Sequence, residues 1–240
     1  MDEPVVGVVG DDVSDAVAAA GVDPLYDTPS SVREAEPTAV VATSASALSR
    51  LVDAGVVSPV LPVDVPGVRA VPRAAITEAV AAVVDGRFET SSVPVVAVES
   101  PLGETRALFD VMLVASEPAR ISEYTVRSRG DRVATVRADG VVAATPSGSA
   151  GYARRAGGPV VAPELDAASV VPVAPFSTDA GHWVVPTDDL TLTVERDETA
   201  VELLVDDRTV GEVEPGASVR LAPGRPLAVA LVEASGGRFA

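Results

Sequence analysis

Short apolar runs alternate with segments of helical spacing through residues 1–91. The strand-like runs are residues 5–10, 38–43 and 58–65, and the helical segments that follow them are residues 14–22, 44–55 and 74–87. Ser14 is typical of a helix start and Gly55 of a helix end. Strands that alternate with helices in this way predict a parallel sheet covered by helices.

The pattern changes near residue 92, where β-branched and often alternating runs replace the helical spacing. Gly, Pro and Asp separate these runs, as expected of turns between strands. One such turn, SRGD at residues 128–131, lies between two strand-like runs and predicts a hairpin. The fold class is therefore α/β plus all-β. An α/β parallel-sheet domain over residues 1–91 is followed by a β-sandwich-like domain over residues 92–240.

The chain of 240 residues carries an unusual charge for an apolar content of 47%. Its net charge is −17, and all 18 of its Lys and Arg positions are arginine. Acidic, lysine-free chains rich in Ala and Val resemble proteins of extremely halophilic organisms, in which salt screens the self-repulsion. The same charge argues against a general nucleic-acid surface.

The location that the sequence predicts is the cytoplasm. No run of about 18 uncharged apolar residues is present, so no membrane span is expected. Residues 1–12 are acidic and lack the basic start of a secretory signal.

Three absences restrict the chemistry. Without cysteine there is no thiol nucleophile, disulfide or thiolate metal site, and without lysine there is no Schiff base. His182 is the single histidine, which excludes a His-rich metal site, and no metal site is predicted. Proton transfer by this chain would have to use carboxylates, His182 or a tyrosine.

The stretch TPSGSAGYARRAGGP, residues 145–159, is rich in Gly and small polar residues. Pro146 ends the preceding strand, and residues 150–156 could form a short helix with Ser149 near its start. A helix start without bulky side chains suits a phosphate or a flat ring, which Tyr152 could cover. The alternative is a glycine-rich connection that only packs on its own domain.

Two nearby pairs also allow two interpretations. Arg154 and Arg155 could pair with a phosphate, or with acidic groups on the surface. His182 and Trp183 precede a strand-like run, and the favoured interpretation is that Trp183 anchors this loop to the core.

Three elements together resemble the NAD kinase family. They are Asp139-Gly140, the TPSGSAGY stretch and the AGGP stretch of residues 156–159. In that family the region reads roughly TPTGSTAYSLSAGGP, and nine of these fifteen positions match here without a gap. Residues 171–185 resemble the family's next proline-bearing segment, with Phe176 where a histidine is usual. The order of an α/β half and a β half is also similar.

The resemblance implies an NAD kinase-like fold and an activity. The family transfers a phosphoryl group from ATP, or in some members polyphosphate, to the 2′-hydroxyl of NAD, and Mg²⁺ helps to hold the phosphates. Its members are usually homo-oligomers built through the β domain. The residues implied to contact or shape the NAD site are Asp110, Asp139, Gly140, Thr145, Ser147, Gly148, Ser149, Tyr152, Gly157 and Gly158. For Asp139-Gly140 the alternative is an ordinary hairpin turn, and for Asp110 a strand carboxylate that faces solvent.

Two motifs of the family are altered in this chain. ATSA at residues 42–45 replaces the GGDG loop that serves the phosphates and the hydroxyl, so Ser44 stands where the family has its catalytic Asp. Ser44 cannot act as a carboxylate base, and no catalytic residue is assigned. The family's Asn-Glu pair, which grips a ribose of NAD, becomes Phe109-Asp110 and keeps only the carboxylate.

Three functions are compatible with these features. The first is a dinucleotide-binding member that has lost or weakened phosphoryl transfer and acts as a sensor or partner. The second is an active NAD kinase in which another carboxylate has taken over. The third is a ligand-free structural partner of an active paralogue. The altered GGDG loop argues against the second and the retained TPSGS stretch against the third, so the sequence favours the first.

Overall fold

A computed structural model describes residues 4–117, 120–177 and 180–237, and they form two compact units. The first unit contains residues 4–93 and 226–237, and the second contains residues 94–225. The boundary after residue 93 lies two residues from the predicted one after residue 91. The sequence pattern assigns residues 226–237 to the second domain. In the structure they belong to the first unit, because the strand Leu227–Leu231 pairs with the sheet of that unit.

The first unit is a six-stranded sheet with covering helices. Its elements are β1 (Val6–Val9), α1 (Ser14–Ala18), β2 (Pro24–Tyr26), α2 (Pro29–Ala35), β3 (Ala39–Ala42), α3 (Ala45–Ala54), β4 (Val60–Pro62), α4 (Ile76–Val84), β5 (Glu89–Val93) and β18 (Leu227–Leu231). One turn of 3-10 helix, Arg73–Ala75, precedes α4. The strand order is β2-β1-β3-β4-β18-β5, and all neighbours are parallel except β18 and β5. The predicted parallel sheet is therefore present, with β2 and α2 added to it.

Side chains alternate between the two faces of the central strands. On one face, Val8 of β1 belongs to a buried cluster with Val17 of α1 and Val80 of α4. On the other face, Gly7 lies against α2, where a β-carbon would be 3.1 Å from a methyl carbon of Val32. Apolar residues at every position of β1 and β3 are thus explained by helices on both faces.

Capping residues determine where the helices of the first unit begin and end. α3 begins after Ser44, whose hydroxyl accepts a hydrogen bond from the Ala47 N–H at 3.1 Å, and it ends at Gly55 with φ 73°. Both ends of this helix match the prediction. Ser14, predicted as an N-cap, is instead the first residue of α1, because the Asp12 carboxylate accepts from the Ser14 N–H at 2.9 Å.

The second unit consists of two antiparallel sheets and two short helical turns. Its elements are β6 (Val96–Ser100), β7 (Gly103–Ala107), β8 (Asp110–Ala115), β9 (Ser122–Ser128), β10 (Asp131–Ala138), β11 (Gly140–Ala144), α5 (Pro146–Ser149), α6 (Tyr152–Arg155), β12 (Ala167–Val173), β13 (Trp183–Pro186), β14 (Leu190–Arg196), β15 (Val201–Val205), β16 (Arg208–Glu212) and β17 (Ser218–Pro223). One sheet has the order β10-β9-β14-β17-β6-β7 and the other β13-β12-β11-β8-β15-β16. Across the described residues, no helix is long and apolar enough to cross a bilayer.

The two antiparallel sheets share one core. Leu113 and Val141 from one sheet and Val126 and Leu192 from the other are buried in a single apolar cluster. Along β14, buried and partly exposed residues alternate, as expected when only one face of a sheet is covered. The predicted β-sandwich-like architecture is confirmed.

The SRGD stretch forms the predicted hairpin turn between β9 and β10. Arg129 and Gly130 have φ values of 52° and 80°, the pair of positive values that a tight two-residue hairpin requires. The Arg127 guanidinium donates a hydrogen bond to the Gly130 carbonyl at 3.3 Å.

Candidate functional site

The loop of residues 145–159 forms two helical turns between β11 and β12, the first from the TPSGS stretch and the second from Tyr152–Arg155. α5 begins after Thr145, whose hydroxyl accepts a hydrogen bond from the Gly148 N–H at 3.3 Å, and Pro146 occupies its first position. The sequence predicts one helix over residues 150–156 with Ser149 near its start. Instead, Ser149 ends the first turn and α6 forms the second, since Thr145 and Pro146 already supply a complete helix start.

Thr145 and Gly148 bind this loop to the backbone just before β8. The Thr145 N–H donates to the Phe109 carbonyl at 2.8 Å, and the Thr145 hydroxyl donates to the Leu108 carbonyl. A β-carbon on Gly148 would collide with the Phe109 carbonyl group. Glycine is therefore required at position 148, and the loop holds the Leu108–Phe109 peptide at van der Waals distance.

Asp110 begins β8 beside the end of β11, where it pairs with Ala144, the residue before Thr145. Burial, and after it the nearby Asp206 charge, raise the pKa of the Asp110 carboxyl to about 7, although the Arg155 charge opposes both. The carboxyl is therefore close to half ionised at neutral pH. Ionised, it only accepts hydrogen bonds, and protonated, it also donates one.

Asp206 is a site residue that the sequence reasoning missed. Its carboxylate accepts hydrogen bonds from three consecutive backbone N–H groups, those of Leu108 at 3.1 Å, Phe109 at 2.7 Å and Asp110 at 3.1 Å. In the sequence, the Asp206-Asp207 pair between two alternating runs indicates only a turn. The bonding partners of Asp206 are almost a hundred positions away in the sequence, so no local sequence pattern indicates its role.

The two serines of the loop, Ser147 and Ser149, are buried. The Ser149 hydroxyl donates to the Pro146 carbonyl at 2.8 Å and accepts from the Val161 N–H at 2.9 Å, so it stabilises the loop. The Ser147 side chain is also buried, and its hydroxyl has no hydrogen-bond partner within the part of the chain that the structure describes. Of the two, only the Ser147 hydroxyl can turn to a ligand without breaking an internal bond.

The AGGP turn brings His182 to the loop. Gly157 has φ 94°, and a β-carbon on it would lie 3.0 Å from Cε1 of the His182 ring. Gly158 leaves no space for a β-carbon because of a Val171 methyl group. His182 therefore covers Gly157, while Trp183 packs against the core of the sandwich as predicted.

Tyr152 and Arg155 extend from α6 on the exposed side of the loop. The Tyr152 side chain is 36% exposed, and the Arg155 guanidinium carbon is 5.8 Å from the centroid of its ring. Arg155 also acts electrostatically on Asp110. Arg154 is exposed beside it. An aromatic face, a cation and a carboxyl thus meet at one loop.

Asp139 and Gly140 do not lie with these residues. They stand at the opposite end of β11, about 20 Å along an extended strand from Thr145. The Asp139 backbone continues the ladder, donating to Val173 at 3.0 Å. Gly140 is needed because a β-carbon would be 2.6 Å from the Leu113 carbonyl oxygen. The five residues between Asp139 and Thr145 form the extended strand β11, so the two positions lie apart although they are close in sequence.

The first unit contains the segment that replaces GGDG. The Ser44 hydroxyl is engaged in capping α3, and the preceding Thr43 hydroxyl accepts a hydrogen bond from the Asp11 N–H. The Asp11 carboxylate forms an ion pair with Arg73, with Oδ2 and Nη2 2.7 Å apart. The backbone of Asp11 thus lies next to Thr43, and its carboxylate contacts Arg73.

No group of three or more acidic, His or Cys side chains with the geometry for a metal ion occurs among the residues described.

Residues 108–231 match the family model of the ATP-NAD kinase C-terminal domain. An NAD kinase from Methanosarcina acetivorans is 36% identical over 113 residues, which are 47% of this chain and 41% of that protein. An NAD kinase from Gemmatimonas aurantiaca is 34% identical over 135 residues, 56% of this chain and 46% of that protein. The chain spans less than half the length of the curated relatives it matches.

Two solved structures are similar over nearly the whole chain. A crystal structure of an NAD kinase from Archaeoglobus fulgidus in complex with ATP has a TM-score of 0.78 at 23% identity, covering 96% of this chain and 94% of that one. Yeast NADH kinase complexed with NADH has a TM-score of 0.80 at 15% identity, covering 96% of this chain and 84% of that one. At these identities the likeness establishes the fold.

Proposed function

The chain belongs to the NAD kinase family, and on that premise we propose that its second unit binds NAD or a related adenine nucleotide while phosphoryl transfer is lost or weak. The observation that carries the proposal is the position of Asp110, fixed beside the TPSGS loop by the hydrogen bonds of Thr145 to Leu108 and Phe109. A carboxylate held against a glycine-rich loop is suited to accept hydrogen bonds from the hydroxyls of a ribose.

Other groups of the loop supply complementary chemistry. The exposed face of Tyr152 suits a flat ring, and the Arg155 guanidinium suits a phosphate or pyrophosphate. The Ser147 hydroxyl can add a hydrogen bond. The related structures were solved with ATP in one case and NADH in the other, which supports an adenine nucleotide as the ligand class.

The state of the first unit supports loss of phosphoryl transfer. Position 44 offers a hydroxyl that already caps α3, where the family has a carboxylate for the reacting hydroxyl. The side chains of residues 42, 43 and 45 occupy positions where the family's glycines let phosphates approach the backbone. Two changes in one loop remove both the base and the phosphate cradle.

An active NAD kinase is the second candidate, and Asp11 is the observation in its favour. Its backbone is bound to Thr43 and its carboxylate is held by Arg73, so it could take over from the missing Asp. In that case Mg²⁺ would arrive with the phosphates of ATP or polyphosphate. A homo-oligomer built through the second unit remains an expectation from the family.

Calorimetric titration with NAD, NADP and ATP in concentrated KCl tests the binding proposal. We expect NAD to bind the wild-type chain, and Asp110→Ala to weaken that binding by at least about tenfold, the loss of one hydrogen bond to a charged group. The matched control is Asp207→Ala, which removes an exposed carboxylate from the same unit. Binding that is unchanged in Asp110→Ala would contradict the placement of the ligand.

The second arm measures NADP formation from NAD with ATP or polyphosphate and Mg²⁺, beside an authentic NAD kinase as positive control. The proposal predicts no turnover above background while the control is active. Turnover that disappears in Asp11→Asn would instead establish the second candidate and identify its carboxylate. Turnover that persists in Asp11→Asn would contradict both the proposed loss of phosphoryl transfer and the proposed role of Asp11.

A further inference from the structure

In the turn between β15 and β16, the Asp206 carboxylate contacts three backbone N–H groups of residues 108–110. Asp206 has φ 54°, a left-handed conformation that Asp tolerates in turns. From this position its Oδ1 accepts from the N–H groups of Phe109 and Asp110, and its Oδ2 accepts from that of Leu108. Three bonds from charged oxygen to backbone N–H make this a strong attachment.

The same segment is held from its other side. The carbonyls of Leu108 and Phe109 accept from Thr145, and the carbonyl of Asp110 accepts from the Asp206 N–H at 2.8 Å. Every N–H and C=O group of these three residues therefore has a partner in either the β15–β16 turn or the loop. The backbone that carries the Asp110 side chain has little freedom to move.

Asp206 also acts on Asp110 through its charge. Two charged groups affect the half-buried Asp110 carboxyl, namely Asp206 from the β15–β16 turn and Arg155 from α6. Burial and the Asp206 charge both raise the pKa of Asp110, and Arg155 lowers it. Removal of the Asp206 charge alone would therefore favour the ionised form of Asp110.

We infer that Asp206 is a positioning residue of the ligand site, which both orients the Asp110 carboxyl and sets how readily it accepts hydrogen bonds from ligand hydroxyls near neutral pH. The inference rests on the proposed function, because it concerns the same site. A ribose diol donates hydrogen bonds to a carboxylate more favourably than to a neutral carboxyl. Affinity for a ribose-bearing ligand then rises as Asp110 ionises.

The test combines two measurements on wild type, Asp206→Asn and the matched control Asp207→Asn, all in concentrated KCl. The titration of the Asp110 side-chain carboxyl is followed by NMR of ¹³C-labelled Asp in the free protein. The dissociation constant for NAD is measured by calorimetry from about pH 5 to about pH 9. In Asp206→Asn the carbonyl oxygen can still accept from the Phe109 and Asp110 N–H groups, so the variant loses the charge and the one bond from the Leu108 N–H.

For the wild type we expect affinity to fall as the pH drops through about 7, by up to about tenfold per pH unit. In Asp206→Asn, the Asp110 titration and the midpoint of the affinity profile should both move to lower pH. Affinity at high pH should also be several-fold weaker than in wild type, because one backbone bond is lost. Asp207→Asn should match wild type in every respect.

A folded Asp206→Asn variant with the Asp110 titration and NAD profile of wild type would overturn the inference. If the wild type binds no NAD at any pH, the proposed function fails, and the NMR titration still decides whether Asp206 controls Asp110. Should Asp206→Asn not fold, Asp206→Glu replaces it. That variant retains the charge, so a large change in its Asp110 titration would contradict the electrostatic role.

Discussion

Gly148 packs directly against the carbonyl group of Phe109, with no space for a β-carbon between them. The contact joins the loop after β11 to the segment before β8, and the hydrogen bonds of Thr145 to Leu108 and Phe109 lie beside it. Close packing of two backbones places the Asp110 carboxyl next to the loop. The site is thus defined by a backbone contact as much as by its polar side chains.

Gly148→Ala is therefore expected to destabilise the protein and to abolish NAD binding. The added methyl group must push the loop and the Phe109 peptide apart, and overpacking of this kind costs about 1–3 kcal/mol in buried sites. Urea unfolding in concentrated KCl measures the free energy of unfolding. Gly237→Ala serves as the control, since a β-carbon there meets no atom within 4 Å. Equal stability of the two variants would contradict the packing argument.

Thr145→Val tests the hydrogen bonds of the same loop without a change in size. Its hydroxyl both donates to the Leu108 carbonyl and accepts from the Gly148 N–H, and both partners are buried. We expect a loss of about 1–3 kcal/mol in the free energy of unfolding. Thr145→Ser retains the hydroxyl and should recover most of this loss. If Thr145→Ser is as destabilising as Thr145→Val, the methyl group contributes as much as the hydroxyl, and the hydrogen bonds do not dominate the stability of the loop.

Asp110→Asn is predicted to stabilise the protein at high pH. The pKa of Asp110 is about 7 in the folded chain and 3.8 as its ordinary value, so ionisation above this range opposes folding. Stability of the wild type should fall between about pH 4 and about pH 7, by up to about 4 kcal/mol. The variant lacks this loss, whereas Asp207→Asn retains it. Parallel pH profiles of the wild type and Asp110→Asn would contradict the raised pKa.

Much of the architecture follows from hydrophobic spacing alone. The apolar run of β3, the helical spacing of α3 and the alternation along β14 each predict the correct element, because each buries a regular set of positions. Leu227–Leu231 has the same apolar composition as the strands of the sandwich, yet it joins the first sheet. A strand's sequence specifies which faces it buries and does not specify which sheet it joins.

A loop at residues 145–159 can be predicted because its Gly and small polar residues are local in sequence, but its division into two helical turns was not predicted. Thr145 caps the first turn and Gly148 lies within it. Asp206 could not be predicted, because its role depends on a contact across the second unit. Asp139 and Thr145 are only six positions apart, which predicts a shared site, but the extended strand β11 separates them in the structure.

The net charge predicts that salt stabilises the folded chain. With a net charge of −17, mutual repulsion of surface carboxylates is strong in dilute buffer and is screened within about 3 Å at 1 M salt. We expect the midpoint of thermal unfolding to rise by roughly 6–12 °C between about 0.2 M and about 3 M KCl, if screening contributes about 3 kcal/mol. Scanning calorimetry measures it. Near the isoelectric point of about 4.3 the rise should be much smaller, and an equal rise at both pH values would exclude screening as the cause.

Ser44→Asp separates the two changes that the GGDG loop has undergone. Asp caps a helix as well as Ser does, so α3 should be retained and the free energy of unfolding should change by less than about 0.5 kcal/mol. Ser44→Ala, the control for the cap, should lose about 1 kcal/mol. The restored carboxylate still faces a backbone that carries side chains at residues 42, 43 and 45, and the Thr43 hydroxyl remains bound to Asp11. We therefore expect no NADP formation by Ser44→Asp in the assay with ATP or polyphosphate. Turnover by this single variant would mean that the missing carboxylate alone accounts for the loss and that the phosphates tolerate the altered loop.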